Sequence, residues 1–582
     1  MARRLTAINT AAGLSPGAPL PVSDRARVRT EVAWEHFLAE HGREPIDARE
    51  LAGQIAKDSR PRTQTVAGYD LTFSPVKSIS TLWAVADPKV AAVIERAHHA
   101  AVSDALTFIE KHALFTRIGP QGIRQVNVRG LVAAAFTHRD SRAGDPDLHT
   151  HVAVANKVQT IDGRWLSIDG RVLFKANVAA SETYNTALEQ HLRETLGVRF
   201  AERPGTDPVK RPIREIVGAD PVLNQRWSSR RVLIKARQGE LAAQFQRDHG
   251  RPPTPVEALQ LAQQATLETR DAKHEPRSLA EQRTVWHAQA AEILGGPDAV
   301  HAMINNALNP TSIKSPAVDA EWLAATADKV LAAVEEHRSI WQSWHVRAEA
   351  LRHMRGIQIS TEKVDQLVNL LVEEVLQTRS VALTRTEDNI SEPATLRRAD
   401  GSSVYTVAGS ELFTSNRILA AERRLVATAG RTDGQVLEAE TVDLALLESA
   451  ANGNALDTGQ AELVRAMCTP GVRLQLAIAP AGAGKTTAMS TLARAWSDSG
   501  GQVIGLAPSA AAAAQLRDAT GAPAETLAKL TWSIDHGDLP GWAQSVDRST
   551  LVIIDEAGMA DTLSLDSRAV HRRPRWQCPV GR

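Results

Sequence analysis

The sequence predicts a multidomain α/β protein, and three observations predict it. At 582 residues the chain is too long for one hydrophobic core, which implies roughly three to four domains. Two segments within residues 126–155 alternate apolar and polar side chains with period two, as paired strands do. Beyond Leu456 apolar strands alternate with amphipathic helices, the texture of an α/β domain. A mostly helical stretch, residues 172–380, lies between them.

Each element follows from local signals. Residues 24–58 carry helical spacing in "RTEVAWEHFLAEHG" and "DARELAGQIAKD", separated by a Gly-Arg-Glu-Pro break. Next come a strand, "VAGYDLTF", a turn, "SPVKS", and a helix, "ISTLWAVA". "PKVAAVIERAHHAAVSDALTFIEKHA" reads as one long helix. "VNVRGLVAAAFTH" and "LHTHVAVAN" then read as strands, joined by "RDSRAGDPD", whose Gly, Pro and Asp residues favour a turn. In "RPPTPVEALQLAQQAT", Thr254 is the expected N-cap and Pro255 the first helical residue. Residues 381–450 shift to mixed β and turn composition and are expected to be inter-domain. No fixed-period repeat or long low-complexity tract interrupts the chain.

Composition excludes several classes. Lys plus Arg equals Asp plus Glu at 67 each, so nucleic-acid contact must come from local patches. Cys468 and Cys578 stand far apart, which excludes a disulfide framework and a cysteine zinc site. The N-terminus lacks the apolar run of a signal peptide, and no segment reaches membrane-spanning length. A cytoplasmic protein without membrane insertion is expected.

"LQLAIAPAGAGKTTAMSTLARAW" is an apolar strand, a Gly-rich turn and an amphipathic helix. Residues 479–486 fit the Walker A frame except that Ala479 replaces the first glycine. Small residues, Gly482 and Gly484 among them, let backbone N–H groups cradle phosphates; Lys485 neutralises phosphate oxygens and Thr486 ligates Mg²⁺. "STLVIIDEAGMAD" adds a buried strand ending in Asp555 and Glu556, one carboxylate for Mg²⁺ and one to orient water. ATP with Mg is the expected cofactor. Gln460 is placed to contact the base edge of the nucleotide or to sit on a solvated helix.

His138, His149 and His151 form the second constellation. Alternation puts His149 and His151 on one strand face, and pairing with the preceding strand brings His138 to them. Three neutral imidazoles suit a divalent metal (Mg, Mn or Zn) and leave positions open for substrate; a polar sheet face is the alternative.

The spacing His138, His149-x-His151, Asn156 resembles the HUH signature of MobF-type (TrwC/TraI-like) conjugative relaxases, and "GYDLTFSPVKSIS" resembles a second motif of that family. Residues 456–566 look like the first RecA-like lobe of a RecD-type superfamily-one helicase, with "DEAGMADTLSLD" the most specific piece. The resemblance implies an HUH-type relaxase palm (an antiparallel sheet flanked by helices), a mostly helical middle region and a partial P-loop lobe. It implies that the three histidines ligate the metal, that Asp70 orients one of them, and that single-stranded oriT DNA is nicked by transesterification. Relaxosome and conjugation coupling proteins are the further partners implied. On this basis we expect a relaxase domain at 1–300, a connecting region at 301–450, the first helicase lobe at 451–566 and an unstructured tail at 567–582.

The sequence departs from the family in its tyrosines. Relaxases of this type carry the nucleophile near the N-terminus, yet the three tyrosines here are Tyr69, Tyr184 and Tyr405. A degenerate chain shortened at both ends, without the nucleophile segment and the second helicase lobe, is expected. Tyr184, on a helix after the histidines, is the candidate nucleophile, with a core tyrosine as the alternative. "RWSSRRVLIKARQ" (226–238), with Trp227, reads as a phosphate-tracking and stacking patch or as a charged helix face. Trp165 is open between base platform and core. The rival functions are a three-histidine nuclease that forms no covalent intermediate and a non-catalytic DNA-binding P-loop protein.

Overall fold

In the computed structural model, the described residues are 2–11, 20–59, 65–205, 211–249, 253–270, 272, 275, 277–311, 316–383, 392–478, 483–566 and 576–581. They fall into two units, Met1–Ala67 and Gly68–Arg582. The first unit is helical, with Val22–His41 and Ala48–Asp58 as its longer helices. Asp47 caps the latter by accepting from the amides of Arg49 and Glu50.

The second unit begins with a three-stranded antiparallel sheet whose central strand is Pro146–Ala155, flanked by Gly68–Phe73 and Ala133–Asp140. Leu148, Thr150, Val152 and Val154 are buried on one face, while His149 and His151 are half-buried on the other. Two long helices, Pro88–His112 and Gly170–Leu196, pack against each other and supply core side chains on the buried side. Asp87 caps the first by accepting from the amides of Lys89 and Val90, and Pro88 occupies its first turn. Ala133–Asp140 is an edge strand: among the described residues it pairs only with the central strand, and all but its last residue are exposed.

The expected start at Thr254 is present as a capping box with Glu257. Residues 381–450 differ from expectation. Among the described residues there, the strands are two residues long, whereas Asn416–Ala429 and Ala439–Ala451 are helices. The Ala-, Leu- and Arg-rich runs there are strong helix formers, and they outweigh the Gly and Ser around residue 401.

The region after residue 300 is not merely a connector. Trp344 and Ala408 share a buried cluster with Phe108, Phe115 and Val172. Arg398, buried, donates to Gln125 Oε1 at 3.3 Å and to the Thr406 carbonyl at 2.5 Å, with its guanidinium 5.6 Å from the Phe115 ring centroid.

The C-terminal sheet has five strands in the order Leu474–Ala477, Trp576–Gly581, Thr550–Ile554, Gln502–Ala507, Ala524–Thr526, every pairing parallel. Thr550–Ile554 is buried along its whole length, as strands covered on both faces are. Residues 576–581 correct the expectation of an unstructured tail. They fill the place between two parallel strands that would otherwise present unpaired edges to each other. Residues 567–575, also in that tail, lie outside the described residues. Among the described residues no helix is long and apolar enough to cross a membrane.

Candidate metal and phosphate sites

The register of the histidine strands sets the first site. His138 pairs with His149 and Phe136 with His151, so the three imidazoles meet on one face. Their ring centroids lie 5.2 Å (138–149), 5.4 Å (138–151) and 5.2 Å (149–151) apart. Three imidazoles bound through one nitrogen each to a tetrahedral ion at about 2.1 Å would hold their centroids about 5 Å apart, so the spacing fits such an ion. As placed, no three His, Cys, Asp or Glu side chains among the described residues close to ligating geometry. The ring centroids form the triangle such an ion needs, while the nitrogens do not converge on one point.

The partners of the ring nitrogens support that reading. Nδ1 of His151 lies 3.0 and 2.9 Å from the two Asp70 oxygens and 3.1 Å from Thr72 Oγ1. Nδ1 of His149 donates to the Asp147 carbonyl at 2.7 Å. An acceptor at Nδ1 fixes the proton there and leaves Nε2 as the lone-pair donor, a tautomer suited to metal ligation through Nε2. Asp70 sits where the sequence places it: in the neighbouring strand, Thr72 pairs with His151 and Asp70 is two residues away on the same face.

Tyr184 is not brought to this site. Its side chain is 3 % exposed on the reverse face, 5.3 Å from the Phe73 ring, with its hydroxyl 2.8 Å from His98 Nδ1. Burial raises its hydroxyl well above the ordinary pKa of 10, so a phenolate nucleophile is disfavoured as well as out of reach. The candidate nucleophile is thereby corrected to a core tyrosine, because helix Gly170–Leu196 turns residue 184 into the core. Tyr69, on the opposite strand face from Asp70, is also raised by burial. Tyr405 lies half-exposed in the loop around Arg398.

Two aromatic residues differ in exposure. Trp227 is 2 % exposed and its Nε1 donates to Gln289 at 3.0 Å, so it belongs to the core and is no stacking platform. The cations after it lie on helix Ser229–His249. Trp165 is exposed on a two-residue strand. Phe136, 55 % exposed beside His151, is an aromatic of the histidine face that the sequence reading missed. Its place in the alternation with His138 was the available signal.

In the second site, Lys485 and Thr486 open helix Lys485–Asp498, with Gly484 as a left-handed cap at φ +69°. A side chain on Gly484 would collide with the Gln460 amide. Gly482 and Ala479 lie outside the described residues. Asp555 follows the C-terminal end of its strand, and its amide donates to the Leu506 carbonyl at 3.0 Å. Because the strands run parallel, the Lys485 turn and Asp555 emerge at the same edge of the sheet, where α/β domains bind ligands. Glu556 adopts φ +51°, a conformation rare for a non-glycine residue and concentrated at functional turns. Gln460 departs from the base-edge reading. Its Oε1 accepts from the Asp457 amide and its Nε2 donates to the Ala483 carbonyl, each at 3.0 Å, so it props the phosphate loop.

Comparison with known proteins finds two family models along this chain, one over each sheet. Residues 17–293 match the TrwC relaxase family model, and residues 455–572 match an AAA domain. The multifunctional conjugation protein TraI of Escherichia coli is 38 % identical over 183 residues, 27 % of this chain and 10 % of TraI. TraI of strain K12 is 37 % identical over the same length, with the same coverage. The chain thus spans about a tenth of the length of these relatives. A metal-bound structure of conjugative relaxase TrwC with oriT DNA is 26 % identical, covering 49 % of this chain and 86 % of that one at a TM-score of 0.33. TrwC with a 27-mer DNA comprising the recognition hairpin and the cleavage site is 25 % identical, covering 47 % and 97 %, at 0.32.

Proposed function

We propose that this chain, which carries a TrwC relaxase domain followed by an AAA domain, binds single-stranded oriT DNA at the histidine face and MgATP at the C-terminal sheet edge. The observation that carries the reading is the triangle of three imidazoles with Asp70 behind one of them. His138, His149 and His151 would hold a divalent metal (Mg, Mn or Zn), which when bound supplies Lewis-acid stabilisation of charge on the scissile phosphate. Asp70 and the Asp147 carbonyl keep the His151 and His149 protons on Nδ1, holding each Nε2 towards the open face. Phe136 gives that face an apolar surface on which a base can stack. Lys485 and Thr486 bind phosphate and Mg²⁺, with Asp555 at the same sheet edge. A cytoplasmic setting and relaxosome or coupling proteins complete the reading.

Relaxase chemistry exchanges one phosphodiester for another: a hydroxyl attacks, the 3′-oxygen leaves, and no water is consumed. Tyr69 and Tyr184 are turned from the histidines, so this chain should bind oriT single strands yet form little or no covalent adduct. The test incubates the chain with such DNA and Mn²⁺ and runs a denaturing gel, beside metal analysis of the purified protein. Equal metal content in the wild type and a variant with all three histidines changed to alanine would sink the site. Strand cleavage without an adduct would select a second reading, hydrolysis by water, which the inward position of Tyr184 favours. A stable adduct lost in Tyr184→Phe would show that helix Gly170–Leu196 rearranges.

A further inference from the structure

Behind the histidine face lies a chain of polar groups that the proposed chemistry does not use. His98, fully buried in helix Pro88–His112, has both ring nitrogens engaged: Nδ1 lies 2.8 Å from the Tyr184 hydroxyl and Nε2 2.8 Å from Thr150 Oγ1. Thr150 Oγ1 is 3.0 Å from Thr137 Oγ1, and Thr137 Oγ1 is 3.1 Å from His99 Nε2. Five side chains from two helices and two strands thus form one continuous run. In either polarity every link has one donor and one acceptor, so a neutral His98 leaves nothing unsatisfied.

The placement of the two threonines gives this run its meaning. Thr150 stands between His149 and His151 in the chain, Thr137 stands next to His138, and the two threonines are direct register partners. From these positions, and taking the histidines as metal ligands in accord with the proposed function, we infer that Thr137 and Thr150 are positioning residues. Anchored by His98 and His99, they hold the two strands so that the three imidazoles keep their triangle.

The strand that carries His138 needs such an anchor. It pairs on one side only among the described residues, its Ala133–Phe136 segment packs little apolar surface, and its register shifts between His138 and Asp140. Register in a strand without a buried face is weakly specified, and a one-residue slip would carry His138 to the reverse face. The hydroxyl pair and the His99 bond pin the strand one residue before that irregularity.

The test uses the full chain and three substitutions. Thr150→Val keeps the branched shape and removes the hydroxyl, Thr150→Ser restores it, and Thr137→Val breaks the run at the exposed edge. Co²⁺ titration followed by visible absorption reads the site. Segment-resolved hydrogen exchange of the metal-free protein reads the strand. For Thr150→Val we expect about tenfold weaker Co²⁺ binding with an altered spectrum, and faster exchange across residues 133–138. Serine should restore all three. If valine misfolds the chain, Thr137→Val supplies the same measurements, with the same expectations. Unchanged exchange and an unchanged Co²⁺ spectrum would overturn the inference. If the wild type takes up no more Co²⁺ than its triple-alanine variant, the metal reading fails by itself; exchange then decides the positioning role, faster exchange supporting it and unchanged exchange overturning it.

Discussion

The two sheets of the second unit expose their chemistry in different ways. The antiparallel sheet has one covered and one open face, so its functional groups project sideways from mid-strand, as His149 and His151 do. The parallel sheet has Thr550–Ile554 buried throughout, so its functional groups gather where strands end and turns begin, as Lys485 and Asp555 do. A face site depends on register and on what pins the strands from behind. A strand-end site depends on turn conformation, here the positive φ of Gly484 and Glu556. The two should therefore fail independently.

The largest expected effect is on metal. His149→Ala removes one imidazole of three and should weaken binding by orders of magnitude while leaving nucleotide affinity unchanged, by parallel metal and ATP titrations. Lys485→Ala should do the reverse, abolishing measurable MgATP binding with metal content intact. Loss of both ligands in either variant would break the comparison.

Acid should distinguish the regions next. Burial lowers His98 from 6.5 to about 4, and it lowers His112 and His345 to about 4 as well. A neutral, buried imidazole stabilises the fold above its unfolded pKa. That contribution is lost as pH falls from about 6.5 towards 4, because the unfolded chain takes up the proton first. For His98 alone the loss approaches about 3 kcal/mol. Hydrogen exchange at pH 7 and pH 5 should show the histidine sheet and its helices losing protection before strand Thr550–Ile554; simultaneous loss would refute the ordering. A smaller effect is expected at Asp70. Asp70→Asn keeps an acceptor for His151 without the charge and should cost about tenfold in metal affinity. Smallest of all, Cys468, buried and pushed up to about 12, should resist thiol reagents in the native protein and react only on unfolding.

What the sequence made legible was local. The period of two placed His149 and His151 on one face, and the turn residues between the strands placed His138 opposite. The glycine-rich turn and the "VIIDE" strand marked the candidate phosphate site. What escaped reading is long-range. Thr137 and Thr150 look like ordinary strand formers, and "RAHHAAV" looks like any helix; nothing in either segment says that their side chains meet. Trp227 stood among cations and read as a surface residue, yet its ring is enclosed by the core. Gln460 had the right spacing to reach a nucleotide, but its amide is engaged by Asp457 and by the Ala483 carbonyl.

The Trp344–Ala408 packing and the Arg398–Gln125 bond carry a consequence for how the protein comes apart. The segment recognisable as a relaxase ends at residue 293, but the cluster that encloses Phe108, Phe115 and Val172 draws side chains from beyond residue 340. The segments around Trp344 and around residues 398–408 therefore share the cooperativity of the histidine sheet, and they should melt with it as one foldon. A fragment cut at residue 300 would expose the indole-facing side of Phe108 and leave the side-chain oxygen Oε1 of Gln125 without its Ala408 and Arg398 donors. The boundary of kinship and the boundary of stability fall at different residues.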